Sequence, residues 1–254
     1  MNAFCPNLSN KKVKQEFDEL TSLFGEDAAY FLWDKNNGYS LDKAPNGADS
    51  ILFKSLLDNY NGDRRAALKA KTKVYTSNFM NWFGDWIKGD KTDVSKVVDE
   101  NGEPLVVYHY TDDENLSKFS TDFDNYFAKN GGTKKAIFFT MDNVVPGSEN
   151  NFLTSRKAKL SLFLNIKNLE TFHGTKEDLH KKGTSYLEVV NKSSERKGSE
   201  NGMVFIGFDD NKKENQTIYI VHNSNQIKSA TDNNGNFSTQ NDNIYESKQD
   251  IISQ

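Results

Sequence analysis

Cysteine is nearly absent from the chain, with Cys5 the single one in 254 residues. One thiol closes no internal disulfide and builds no cysteine-based zinc site, so no metal is expected and a reducing compartment fits. Long apolar runs are missing too. No stretch approaches the roughly 20 residues that span a bilayer, and residues 1–9 lack the apolar core of a signal peptide. These absences predict a cytoplasmic protein with no membrane contact, or one delivered by machinery that reads no such signal. Nor does one sign of charge dominate. The formal net charge is -4, so no global field attracts a polyanion and nucleic acid is not the expected partner, although Lys11-Lys12 and Lys134-Lys135 are locally basic. The Gly-x-Gly-x-x-Gly fingerprint of the Rossmann fold is also lacking.

What the chain does hold is aromatic mass. Hydrophobic residues make up only 35% of it, yet 18 Phe and 10 Tyr give enough apolar area for one sizeable domain with an extension, or two small ones. Up to about residue 90 the apolar residues recur at three- and four-residue intervals. Val13, Phe17, Leu20, Leu23 and Phe24, then Ala28, Ala29, Phe31 and Leu32, predict two short helices broken near Gly25. Asp49-Ser50 is placed to cap a helix that buries Ile51, Leu52, Leu56 and Leu57 and ends at Asn61-Gly62-Asp63. Residues 66–74 read as another. Phe79, Trp82, Phe83 and Trp86 could be imagined stacking bases, but their helical spacing is that of a core face docking helices onto a sheet.

Near Lys88-Gly89-Asp90 the pattern turns to short strands between polar turns. The expected organisation is a helical region over 1–90, a strand-rich domain over 91–244 and a flexible tail over 245–254. The chain should already peel away from Thr231, where Asn, Ser and Gln accumulate. Val97-Val98 and Leu105-Val106-Val107-Tyr108 flank Asn101-Gly102, a hairpin signal. Residues 136–140, 160–166, 203–206 and 217–221 read as further strands. Residues 115–127 suggest partial helix, 141–159 a mobile loop able to act as a lid, 175–181 a helix, and 192–200 a solvated loop. A lone histidine such as His109, at the end of its strand, is more often a satisfied structural group than a chemical one. Only accompanying motifs change that.

Those motifs come in order. Tyr108-His109-Tyr110-Thr111, then Ala136-Ile137-Phe138-Phe139-Thr140, then Ile218-Tyr219-Ile220-Val221-His222 with Gln226-Ile227, resemble the three NAD-binding motifs of the diphtheria-toxin and poly(ADP-ribose) polymerase branch of ADP-ribosyltransferases. Over residues 94–244, and in the endings at 223–230 and 234–237, the chain is similar to the ADP-ribosyltransferase domains of polyvalent proteins from phages and mobile elements. The resemblance implies an α+β fold, a split, mostly antiparallel β-sandwich of two small sheets around an NAD cleft. It further implies a mono-ADP-ribosyltransferase, a glycosyl-transfer enzyme that moves ADP-ribose from NAD to a protein target as a phage-borne effector or toxin.

Residue roles follow from the same resemblance. His109 would hydrogen-bond a ribose hydroxyl, and the backbone of Tyr110, where relatives usually have glycine, would meet the nicotinamide amide. Thr111 matches the usual hydroxyl residue. Phe138 would stack on nicotinamide, with Phe139 and Thr140 beside it, and Phe152 is the candidate lid aromatic. Ile218 stands where a glutamate grips the nicotinamide ribose, a pattern shared by relatives that transfer a single unit with help from an acidic acceptor. Gln216 or Glu214 could position the acceptor. His173-Gly174-Thr175 repeats the first motif in letters but reads as a turn and helix cap, and His180 and His222 read as structural. Two rival readings stay open: a non-catalytic relative that binds NAD, ADP-ribose or a protein, and an RNase-type toxin indifferent to NAD.

Overall fold

Strands rich in valine, isoleucine and phenylalanine form one mixed seven-stranded sheet, and the order of its strands decides where chemistry can sit. The computed structural model describes residues 6–24, 33–34, 38–39, 50–88, 90–120, 136–148, 153, 155–196, 198, 200–210 and 213–246. Among the described residues, four α-helices come first: α1 (Lys11–Phe24), α2 (Ile51–Asn59), α3 (Arg64–Thr72) and α4 (Ser77–Phe83). A two-stranded ribbon, β1 (Trp33–Asp34) with β2 (Gly38–Tyr39), lies between the first two. Then follow β3 (Val107–Thr111), β4 (Ile137–Thr140), β5 (Ala158–Leu164), β6 (Asn168–His173), α5 (Lys176–Lys181), α6 (Tyr186–Ser194), β7 (Asn201–Asp210), β8 (Lys213–Val221) and β9 (Ile227–Ser229). The sheet runs β6-β7-β8-β4-β3-β5-β9. Only β6 and β7 are parallel, and α5 and α6 form the crossover that a parallel pair requires.

The resemblance implies two small sheets. Over residues 107–229 the described residues form a single seven-stranded one, but it is almost divided. β3 pairs with β5 over five residues and β4 with β8 over four, whereas β3 meets β4 at one registered pair, Tyr108 with Thr140. Alternation along the strands sets Val107, His109, Phe139, Tyr219 and Val221 on one face. Tyr108, Tyr110, Phe138, Thr140, Ile218 and Ile220 occupy the other. The first face packs with Val97, Phe119 and Ile244. On the second, α2 and α4 cover the β3–β5 half through Phe53, Phe79 and Trp82 against Tyr108, Tyr110 and Phe163. Residues of α5 and α6 cover the β7–β8 half, with Leu179 and Val190 on Met203, Phe205, Ile218 and Ile220. The boundary between these two clusters follows the β3–β4 seam.

The aromatic set is core. Phe79 stacks on Phe83 at 5.0 Å and meets Phe163 and Phe237 edge-on at 5.3 and 4.9 Å, while the indole N–H groups of Trp82 and Trp86 donate to the carbonyls of Asn225 and Val74. Trp86 and Val94, on either side of residue 90, belong to this one cluster. α4 begins where Thr76 Oγ1 accepts the Phe79 N–H at 3.3 Å. It stops at Gly84, whose φ of 100° and whose approach to Asp93 leave no room for a Cβ. Thr76→Ala is expected to cost about 1 kcal/mol, read as a lower urea midpoint with unchanged slope.

Several expectations need correction. Ile51 is 41% exposed, because the buried face of α2 is Leu52, Phe53 and Leu56. The turn around Asn101-Gly102 is a minimal one, closed by a Val98–Pro104 bridge, and β3 starts only at Val107. Residues 115–120 hold no helix; Lys118 instead bridges to Asn243. Residues 121–127 and 25–32 lie outside the described residues. Where a solvated loop is expected over 192–200, α6 reaches Ser194, opened by a Ser185/Glu188 capping box and held by the fully buried Val190. The chain does not peel off at Thr231. Phe237, Ile244 and Glu246 are all buried, because Phe237 packs between Phe79 and Trp82 and Glu246 pairs with buried Lys228.

Candidate active site

β3 is a strand because Val106, Val107 and Tyr108 are buried β-formers between Pro104 and the acidic Asp112-Asp113. Its ladder to β4 ends after Tyr108, so His109, Tyr110 and Thr111 face β4 without registered partners. The gap is crossed by a side chain. His109 Nδ1 lies 2.9 Å from the Phe138 carbonyl oxygen. A carbonyl only accepts, so Nδ1 carries the proton and, in the neutral ring, Nε2 keeps its lone pair. The ring is neutral at pH 7: burial lowers its pKa below 6.5, the Arg156 charge adds to the lowering, and the Phe138 bond opposes it. Phe119 meets the imidazole edge-on at 4.9 Å and Phe139 lies at 5.7 Å. Arg156 pairs with Asp112 at 2.5 Å, just past the end of β3.

Across the seam, Phe138 faces Tyr186 of α6 with ring centroids 6.2 Å apart. Thr140 and Phe138 register with Ile218 and Ile220, so the wall on this side is apolar. A model of the family described as ADP-ribosyltransferase in polyvalent proteins matches residues 99–237. The chain belongs to that family. Its members are transferases that use NAD as a substrate. No curated protein and no solved structure matches the chain. No helix among the described residues is long and apolar enough to cross a membrane, and they contain no group of His, Cys, Asp or Glu arranged to hold a metal ion.

Within this polyvalent-protein ADP-ribosyltransferase the residues singled out in the sequence fall as follows. His109 and Phe138 are joined through the Phe138 carbonyl, but their rings point to opposite faces, and Phe139 is the ring that shares the imidazole's face. Thr111 Oγ1 accepts the Asp113 N–H at 3.1 Å. Thr140 Oγ1 accepts the Asp142 N–H at 3.0 Å. Ile218 is 7% exposed among Phe205, Phe208 and Ile220. Gln216 is buried and registers with Phe208 across a bulge. Phe152 lies outside the described residues, as does the Glu214 side chain. Gly174, at a φ of 124°, and the Thr175 capping box make His173-Gly174-Thr175 a turn and cap.

Tyr110 has the most defined surroundings. Its side chain leaves the strand on the face opposite His109, which keeps it away from the imidazole. Its hydroxyl reaches the carbonyls of Asp142 at 2.8 Å and Val144 at 2.9 Å, and accepts the Val144 N–H at 2.8 Å. Burial pushes this phenol up to about 12, so it keeps its proton at neutral pH. Lys159 is its cross-strand partner and lines a cavity of about 340 Å³ with Asp58, Ser161, Asp232 and Tyr245. Sequence reasoning missed Tyr186 and Asp142. The first could have been found from the Ser185-x-x-Glu188 signature of α6; the second gives no signal without the register.

Proposed function

We propose that the chain is an NAD-dependent mono-ADP-ribosyltransferase that modifies a protein target, acting as an effector or toxin of a phage or mobile element in a host cytoplasm. We place it with the diphtheria-toxin and poly(ADP-ribose) polymerase branch on the resemblance of its motif order. One observation carries the reading: the His109 imidazole bridges the sheet's seam to the Phe138 carbonyl at 2.9 Å, which aims the proton inward and leaves Nε2 to accept from a ribose hydroxyl. Around it, the released edge of Tyr110 supplies backbone groups for the carboxamide, with Thr111 beside it. Phe139 is the flat apolar ring on the imidazole's own face, Phe138 and Thr140 belong to the same strand but face the other way, and Gln216, buried against Phe208, would have to be uncovered to reach an acceptor. Residues 91–244 form the catalytic unit and residues 1–90 brace it.

Incubating the chain with labelled NAD and host lysate tests this. Label on protein, lost in His109→Ala, is the expected result. Measurable NAD binding with no label on any protein leaves the second reading, a non-catalytic NAD or ADP-ribose binder, which Ile218 in an apolar cluster favours. RNA cleavage unaffected by NAD would replace both with a nuclease toxin.

A further inference from the structure

We infer that Phe119 is a gate: its ring fills the place beside His109 and Phe139 that a bound nucleotide needs, and residues 112–120 carry it out of that place. The inference rests on the transferase reading above and adds what controls access to the same site. Three rings meet on this face of the sheet. Phe119 stands edge-on to the imidazole at 4.9 Å and to Phe139 at 5.9 Å, and the imidazole and Phe139 are 5.7 Å apart. Rings with centroids about 4.5–7 Å apart are already in contact. A planar ring placed between two others needs about 3.5 Å on each side, roughly 7 Å in all, and none of these three pairs leaves it. Phe119 is 5% exposed and Phe139 only 2%. With Phe119 in position, Phe139 is therefore a core ring and offers no free face to nicotinamide.

Of the three rings, Phe119 alone is not fixed in the sheet. His109 belongs to β3 and Phe139 to β4, whereas residues 112–120 form neither helix nor strand. That segment leaves β3 through a turn in which Thr111 Oγ1 accepts the Asp113 N–H and Asp113 Oδ1 accepts the Asn115 N–H at 2.9 Å. Beyond the turn, Leu116 packs against the same cluster. One β-bridge among the described residues then pins the segment to the tail, Lys118 with Asn243, where the Ile244 N–H donates to the Ser117 carbonyl at 2.8 Å. Lys118 Nζ adds an ion pair to Asp242 Oδ2 at 2.5 Å, with the lysine side chain 61% exposed. Exposed pairs of this kind contribute little, so the pin holds the gate shut without locking it.

The sign of the effect separates a gate from a wall. A site that must first expel Phe119 has its apparent Kd raised in inverse proportion to the fraction of open molecules. Truncating the ring or loosening its pin then tightens binding. A ring that stacks on bound NAD would do the reverse, because its removal deletes a contact.

The test is NAD affinity by calorimetry on the full chain, together with the rate at which diethyl pyrocarbonate acylates each histidine, read by mass spectrometry. The exposed His173 and His180 serve as standards within the same chain. Phe119→Ala is expected to lower the Kd for NAD about tenfold and to speed acylation of His109, relative to His173, by a similar factor. Lys118→Glu, which sets a carboxylate against Asp242 at the surface, should move both quantities the same way by about threefold. A Kd that rises in Phe119→Ala with His109 acylation unchanged overturns the gate and leaves the transferase reading standing. So does a wild-type His109 that already reacts as fast as His173. Acylation that rises in both variants while neither they nor the wild type bind NAD overturns the transferase reading and keeps the gate over His109. Should Phe119→Ala fail to fold, Lys118→Glu decides: faster acylation supports the gate, and an unchanged rate overturns it.

Discussion

His109→Ala weakens NAD binding by about tenfold to a hundredfold and lowers the stability of the free protein by about 1–3 kcal/mol. The two losses have different origins. Removing Nε2 deletes the acceptor proposed for the ribose, and removing Nδ1 leaves the Phe138 carbonyl without its side-chain partner in the seam. His109→Gln keeps one donor and one acceptor and should recover most of the stability but less of the affinity, since its amide lacks the aromatic contacts with Phe119 and Phe139. Calorimetric titration with NAD and urea unfolding of the three proteins separate the terms. The pH dependence has a definite sign. Above the ordinary value of 6.5 the imidazole is neutral in both states; below it the unfolded chain takes up a proton more readily than the half-buried ring of the folded chain. Stability contributed by this site is therefore complete above about 6.5 and falls with pH until the folded pKa is reached. Melting temperatures between about pH 7.5 and 5.5 should drop further for the wild type than for His109→Gln. Equal slopes would mean the ring titrates as if in water.

The strands that carry the motifs could be read directly, because Val106-Val107-Tyr108, Ile137-Phe138-Phe139 and Ile218-Tyr219-Ile220-Val221 are β-formers whose burial matches the assignment. So could the aromatic core of α4, since its spacing admits one buried face. What could not be read is register. That β3 leaves β4 after one pair and that Phe139 shares the imidazole's face are facts about strand offset, and a one-residue slip would reverse the second. The tail failed for another reason. Its asparagines read as solvating, but they close turns: Asn233 Nδ2 donates to the Ile244 carbonyl at 3.0 Å, and Asn243 Oδ1 accepts the N–H groups of Tyr245 and Glu246 at 2.8 and 3.0 Å. Composition counts such side chains as polar without saying whether they point at water or at backbone.

Lys228→Met is the substitution expected to destabilise the fold most, by about 3–5 kcal/mol. Lys228 is fully buried on β9, where burial lowers its pKa against the opposing effect of Glu246. Its Nζ pairs with Glu246 Oε1 and donates to the Asn241 carbonyl at 2.6 Å. Glu246 Oε1 also accepts the Ser238 N–H at 2.7 Å. Without the lysine that carboxylate remains inside with no cation, and the cheapest relief is for residues 231–246 to detach. Detachment removes Phe237 from Phe79 and Trp82, and with it one side of the cluster that contains Tyr108 and Tyr110. The loss should therefore appear as a lower urea midpoint of the whole domain, with NAD affinity failing together with the fold rather than ahead of it. Lys228→Met combined with Glu246→Leu removes both charges and should regain most of the stability. An unchanged midpoint in the single variant would show that the tail unfolds independently of the sheet and that the candidate site does not depend on it.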